Sequence, residues 1–231
     1  MNMNISRSVV LLSLLGLTFT SCTGGRMALH QGERIVFFGD SITELGVKPK
    51  GYVTLIRETV TTRHPDLAIE VIGAGVSGNK VPDLEQRLAR DVIGRKPAIV
   101  VIYIGINDVW HWALNNLKGT TKKDFEAGLR EIIARIQYSG ANVILCTPSV
   151  IGEKHDGTNP QDQMLEEYAA ISRSVALALG VKLCDLHKAF QNYLVLNNKE
   201  NKPQGVLTTD GVHLNDEGNK FVAQELLKFF D

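Results

Sequence analysis

The sequence predicts an α/β fold, a parallel β-sheet with helices on both faces, and three observations carry that prediction. Short, continuous apolar runs recur along the chain, as strands buried on both faces require. Longer stretches between them place apolar residues at the helical period. Glycine- and asparagine-rich motifs follow directly after apolar runs, where such sheets gather their functional groups.

The elements follow in order. Arg34-Ile-Val-Phe-Phe-Gly39 is a β-rich run broken by Gly-Asp-Ser, and Tyr52 to Arg63 continues with Leu55, Ile56 and Val60 at helical spacing. Ala68 to Ile72 is the second strand, closed by a glycine cluster, and Leu84 to Ile93 is helical. Ala98-Ile-Val-Val-Ile-Tyr-Ile104 is the most apolar strand. Phe125, Leu129, Ile132, Ile133 and Ile136 mark a helix before the strand Asn142 to Cys146. A further helix covers Gln163 to Leu179, with Gly180 as its stop. Val181 to Leu186 is a fifth strand, and Asn219 to Phe230 a closing amphipathic helix.

Composition bounds the function. The 231 residues hold 25 Lys+Arg against 25 Asp+Glu, and this zero balance gives no general attraction to nucleic acid or anionic lipid. With 44% hydrophobic and 22% charged residues, the chain is expected to fold as one domain, over residues 34–231, and not to be disordered. Its three cysteines form no disulfide framework and no repeated CxxC pattern. Cys146 and Cys184 lie in apolar runs and read as small buried hydrophobes.

Residues 1–22 read as a targeting segment. Arg7 precedes an apolar run, Val9 to Phe19, that is too short to span a bilayer comfortably. Thr20-Ser21-Cys22 resembles a bacterial lipobox, which implies acylation of Cys22 and an exported, periplasmic or outer-membrane lipoprotein. The alternative is an ordinary secretory signal with Cys22 incidental. Residues 23–33 would then form a short tether.

Four motifs stand at the predicted strand ends or before the last helix. They are Gly39-Asp40-Ser41-Ile42-Thr43, Gly73-Ala-Gly75-Val-Ser-Gly78-Asn79, Gly105-Ile106-Asn107-Asp108 and Asp210-Gly211-Val212-His213. Each alone reads as a turn, loop or helix cap. In this order they resemble the SGNH hydrolase superfamily, also called GDSL-type esterases and lipases, over essentially all of the chain after Glu33. The resemblance implies a flavodoxin-like three-layer α/β/α sandwich with a five-stranded parallel sheet. Ile42 in place of the usual Leu, and Leu214 where Pro is frequent, touch no position that carries chemistry.

The residue types suit ester hydrolysis on their own terms. Ser41, where a strand breaks into a turn, can present its hydroxyl to a substrate, but it needs a base to take its proton. His213 is the best candidate, with Asp210 three residues earlier to orient it and Gly211 to permit the bend. The resemblance assigns the same roles: Ser41 nucleophile, His213 base, Asp210 its acidic partner. It also implies an oxyanion hole from the backbone N–H groups of Ser41 and Gly78 and the side-chain amide of Asn107. A neutral amide donor does not titrate, which fits that task.

Other candidates carry two readings each. Asp40 and Asp108 read as ties between the motif loops, the alternative being acid–base catalysts, with Asp40 also a candidate for substrate contact. Trp110-His111-Trp112 is either a loop packed on the core or an aromatic wall for an acyl group or sugar ring. His30, His64 and His187 read as solvated or capping, and His155 as part of a loop, Ser149 to Pro160, that hangs over the site. The expected function is hydrolysis of carboxylic esters, chiefly short-acyl esters of carbohydrates, with no cofactor and no metal. Lysophospholipase or thioesterase activity is the alternative within the superfamily. Gly73-Ala-Gly75-Val-Ser-Gly78 formally matches the dinucleotide-binding GxGxxG pattern, so an oxidoreductase is a distant rival. A non-catalytic carbohydrate-binding lipoprotein is another.

Overall fold

The computed structural model describes residues 25–114 and 118–230. The leader and Cys22 lie outside them. The strands are β1 (Arg34–Gly39), β2 (Glu70–Gly75), β3 (Ile99–Tyr103), β4 (Asn142–Cys146) and β5 (Lys182–Cys184). They form one parallel sheet in the order β2-β1-β3-β4-β5, the flavodoxin-like order. The helices are α1 (Ser41–Gly46), α2 (Tyr52–Arg63), α3 (Val81–Asp91), α4 (Ile106–Trp110), α5 (Lys122–Tyr138), α6 (Asp162–Leu179), α7 (Leu186–Asn197) and α8 (Asp216–Leu227). α2 packs with α8, and α5 packs between α3 and α6, which gives the two helical layers.

Central strands β1 and β3 are buried on both faces, as their unbroken apolar sequence requires. Four elements differ from expectation. β2 runs on through Gly73, Ala74 and Gly75 instead of stopping before them. A Cβ at Gly73 would meet the Val47 side chain, and one at Gly75 the backbone of Thr43 and Glu44. Those glycines let α1 lie directly on β2, so they answer to packing within the protein, not to a pyrophosphate. α1 and α4, of 6 and 5 residues, are too short to show a helical period. β5 keeps only 3 residues. Residues 25–33 are not a loose tether either: Met27 bridges to Phe230 and Leu29 is buried.

The register aligns the strand ends in one row. Gly39 lies opposite Gly75 and Tyr103, Tyr103 opposite Cys146, and Cys146 opposite Cys184. The first three motif loops therefore leave the same edge, and the loop carrying Asp210 and His213, between α7 and α8, is brought to it separately. Two buried side chains hold them there. Arg87, on α3, donates to the carbonyls of Gly39 (2.6 Å) and Ala74 (2.9 Å) and to Asn79 Oδ1 (2.6 Å), while its guanidinium stacks 4.5 Å from the Phe38 ring centroid. It thus clamps the ends of β1 and β2 to the loop that follows β2.

On the other flank, Glu153 is 0% exposed. Its carboxylate accepts from the backbone N–H groups of Val206 (2.7 Å), Leu207 (2.6 Å) and Thr208 (2.6 Å). The neighbouring Gly152 N–H donates to the Gly211 carbonyl at 2.8 Å. The loop after β4 is thereby joined to the loop carrying Asp210 and His213. Glu153→Gln would turn one acceptor into a donor facing a backbone N–H. We expect a cost of about 2–3 kcal/mol, read as a fall in Tm of roughly 5–10 °C. A Tm within 2 °C of the parent would show that the loop does not depend on this carboxylate.

Candidate active site

β1 ends at Gly39, where a Cβ would strike the Thr43 side chain and the Tyr103 carbonyl. Asp40 then caps α1, its Oδ1 accepting from the Ile42 N–H at 3.0 Å. Ser41 is the first residue of that helix, so its N–H has no partner within the helix. Its hydroxyl sits 3.0 Å from His213 Nε2.

His213 comes from the loop between α7 and α8. Thr208 and Leu214 form a bridge, and Thr209 N–H bonds the His213 carbonyl at 2.8 Å. Gly211 turns the loop with φ +92, in the left-handed region that a side chain disfavours. Asp210 Oδ1 accepts from the N–H groups of Val212 (3.0 Å) and His213 (2.8 Å), and Oδ2 lies 2.7 Å from His213 Nδ1. Burial pushes the Asp210 carboxyl up, but these bonds outweigh it, and its pKa ends below the usual carboxylate value. With the ring proton held on Nδ1 by Asp210, Nε2 is left to accept from the Ser41 hydroxyl.

Three N–H donors stand at the same edge. Ser41 supplies one. Gly78 supplies a second at the end of the β2 loop, with φ +78, and a Cβ there would meet nothing within 4 Å. The loop is held against α1 because Glu44 accepts from Ser77 N–H and Oγ–H, both at 2.5 Å. Asn107, on α4, is buried and donates one amide proton to the Asn79 carbonyl at 3.0 Å. No second partner of this amide group is present among the described residues. Asn79 is in turn held by Arg87, so this side of the site rests on α3.

Of the four residues considered for substrate contact, Trp110 stands against the imidazole. Its ring meets that of His213 edge-on, with centroids 6.3 Å apart. Trp112 is 42% exposed and turns its indole N–H to the Thr120 carbonyl at 3.4 Å. His111 is partly buried, and burial lowers its pKa. Asp40, 1% exposed, cannot touch a substrate and serves as the cap of α1. Asp108 ties α4 to the start of α3 by accepting from Val81 N–H at 3.1 Å.

His187 corrects the sequence reading. It is 2% exposed, with Nδ1 2.6 Å from the Ser149 carbonyl, and anchors the loop that starts there. His155 lies in that loop but directs Nε2 to the Asn198 carbonyl at 2.9 Å. Arg87, Glu44 and Glu153 were missed, and Asn79 was named in its motif without a role. Arg87 had a legible signal, since it lies on the apolar stripe of α3 between Leu84 and Leu88. A groove of about 1230 Å³ near Lys182, Lys188 and Phe229 carries none of the site residues.

Burial raises the Asp40 pKa from 3.8 to about 7, against the opposing pull of the Ile42 N–H. The native state therefore keeps a proton that the unfolded chain has released, through the window from about pH 4 to pH 7. Stability is fully present below that window and is lost as pH rises through it. Asp40→Asn keeps the cap and removes the titration. Chemical unfolding at pH 4 and pH 8 should show the variant matching the parent at pH 4 and exceeding it at pH 8, by up to about 4 kcal/mol. Parallel pH dependences of the two proteins would refute the assignment.

Known proteins match this arrangement along nearly its whole length. The chain is 31% identical over 217 residues to an acetylxylan esterase of Geobacillus stearothermophilus, covering 87% of this chain and 95% of that protein. The crystal structure of the acetyl xylan esterase AlAXEase superposes with a TM-score of 0.81 at 44% identity, covering 84% of this chain and 97% of that one. A serine-to-alanine catalytic mutant of the Geobacillus enzyme gives a TM-score of 0.77 at 29% identity, with 89% and 98% covered. The profile of the GDSL-like lipase/acylhydrolase family matches residues 37–221. Since that stretch opens inside β1 and closes inside α8, it takes in Ser41, Asn107 and His213 together, and the chain belongs to this family and is a carboxylic ester hydrolase.

Proposed function

We propose that the protein removes acetyl groups from acetylated saccharides of the xylan type through an acyl-enzyme on Ser41. The observation that carries this reading is the chain Ser41 Oγ–His213 Nε2 (3.0 Å) and His213 Nδ1–Asp210 Oδ2 (2.7 Å). The likeness to two acetylxylan esterases supports the substrate class.

The steps follow from the geometry. His213 Nε2 takes the Ser41 proton as Oγ attacks the acetyl carbonyl, and Asp210 stabilises the resulting imidazolium. The oxyanion is met by the N–H groups of Ser41 and Gly78 and the free amide proton of Asn107. Collapse expels the sugar oxygen, which takes the proton back from Nε2. Water then attacks the acetyl-enzyme by the same route, releasing acetate and restoring Ser41. The leader residues fit the same role: with Cys22 acylated, the enzyme would be held on a membrane facing an external saccharide. Cys22→Ser in a bacterial host should then abolish lipid incorporation, and an unchanged lipid label would overturn the anchor.

Ser41→Ala and His213→Ala should each lower turnover of an acetylated xylo-oligosaccharide by about 10⁴-fold or more, with the double variant little worse than either. Near-normal turnover in either single variant would sink the assignment. Asn107→Ala should lower kcat by roughly 10²–10³-fold with little change in KM, because its free proton meets charge that exists only after attack. A rise in KM at constant kcat would make Asn107 a substrate-positioning residue.

A further inference from the structure

Beside His213 lies a second depression that the acyl-transfer steps leave without a role. Its volume is about 280 Å³, and its lining includes Trp110, Lys154, Gln161, Gln204, Asp210 and Gly211. Resting on the acetyl-saccharide reading above, we infer that this cleft is the leaving-group subsite, and that it binds the sugar ring bearing the scissile ester.

Position comes first. His213 Nε2 must hand its proton to the departing oxygen, so the alcohol portion has to lie on the histidine side of Ser41. The cleft is built on that side, from Asp210, Gly211 and Val212, which directly precede His213, and from Trp110, whose ring abuts the imidazole. None of the oxyanion donors, Ser41, Gly78 and Asn107, lines it. The acyl carbonyl and the alcohol are thereby sent to opposite sides of the nucleophile.

Chemistry comes second. Among the described residues, the Lys154 ammonium, the Gln161 and Gln204 amides and the Trp110 indole N–H make no hydrogen bond or ion pair. An indole beside several hydrogen-bonding heads suits a ring with apolar C–H faces and a rim of hydroxyls. It does not suit an alkyl chain, which would leave those heads unpaired on burial. The volume, near the lower end for small-ligand sites, takes a single pyranose ring. The loop holding Lys154 is fixed from behind by Glu153, which bonds three backbone N–H groups, so the cleft is present before substrate arrives.

The test uses the full chain and the double variant Lys154→Ala/Gln204→Ala, which removes two unpaired heads without touching Trp110 or the loop anchors. Acetylated xylobiose and p-nitrophenyl acetate are compared, and unacetylated xylobiose serves as inhibitor of p-nitrophenyl acetate hydrolysis. We expect the ratio of kcat/KM for the saccharide over the aryl ester to fall at least about tenfold, through KM, and the xylobiose inhibition constant to rise by a similar factor. Inhibition of the parent should be competitive. A parent that turns over acetylated xylobiose while the variant keeps the same ratio would overturn the subsite alone. Noncompetitive inhibition by xylobiose would also overturn it. A parent with no activity on acetylated xylobiose, but good activity on the aryl ester, would overturn the saccharide function itself and the occupant with it.

Discussion

In the sheet, Gly39 lies opposite both Gly75 and Tyr103, and Tyr103 opposite Cys146, so the strands stop on one row and release their loops from one edge. Parallel pairing imposes this, because every connection must cross back before the next strand begins. Ser41, Gly78 and Asn107 then stand two, three and four residues past the row, from three neighbouring strands. Their convergence needs no long-range coincidence. It needs only that each loop be short and held, and Arg87 holds the loops after β1 and β2 while Asp108 ties α4 to α3; Glu153 fixes the separate loop that brings His213 to them.

Two aspartates near Ser41 show how environment sets the charge of identical side chains. Asp210 is partly exposed and receives two backbone N–H groups besides the imidazole, so its charge is stabilised. Asp40 is enclosed, and burial holds its pKa near 7. Held near neutrality, it still caps α1. Asp108 follows the same pattern, pushed up to about 6 by burial. Of these three aspartates, only Asp210, which faces the imidazole, is arranged to stay ionised.

Much of this was legible in the sequence, and the reason is physical. Strands buried on both faces must be uniformly apolar, so β1, β3 and β4 announced themselves, and helices of twelve or more residues carry enough turns to show a period. α1 and α4 span less than two turns and left no pattern. The glycines of β2 were read as the end of a strand because glycine commonly breaks strands, whereas here tertiary packing of α1 overrides that tendency. The short motifs singled out Ser41, Gly78, Asn107, Asp210 and His213 because their chemistry limits residue choice. The anchors were harder. A buried carboxylate such as Glu153, paired only with backbone N–H groups, leaves no complementary residue in the sequence to betray it.

The anchors also explain why the site is rigid enough to act. Each proposed reacting group has one atom tied to the scaffold and another left facing the nucleophile. Asp210 gives Oδ1 to backbone N–H groups and Oδ2 to the imidazole. His213 fixes Nδ1 on Asp210 and turns Nε2 to Ser41. Asn107 gives one amide proton to Asn79 and keeps the other. Dipoles held in this way need no reorientation when charge develops, and that is the condition under which a few hydrogen bonds lower a barrier by several kcal/mol. The same division explains why near-isosteric changes would be poorly tolerated. An aspartate at 107 would retain the size of the amide but lose both protons, so it would release Asn79 and present an acceptor to the oxyanion.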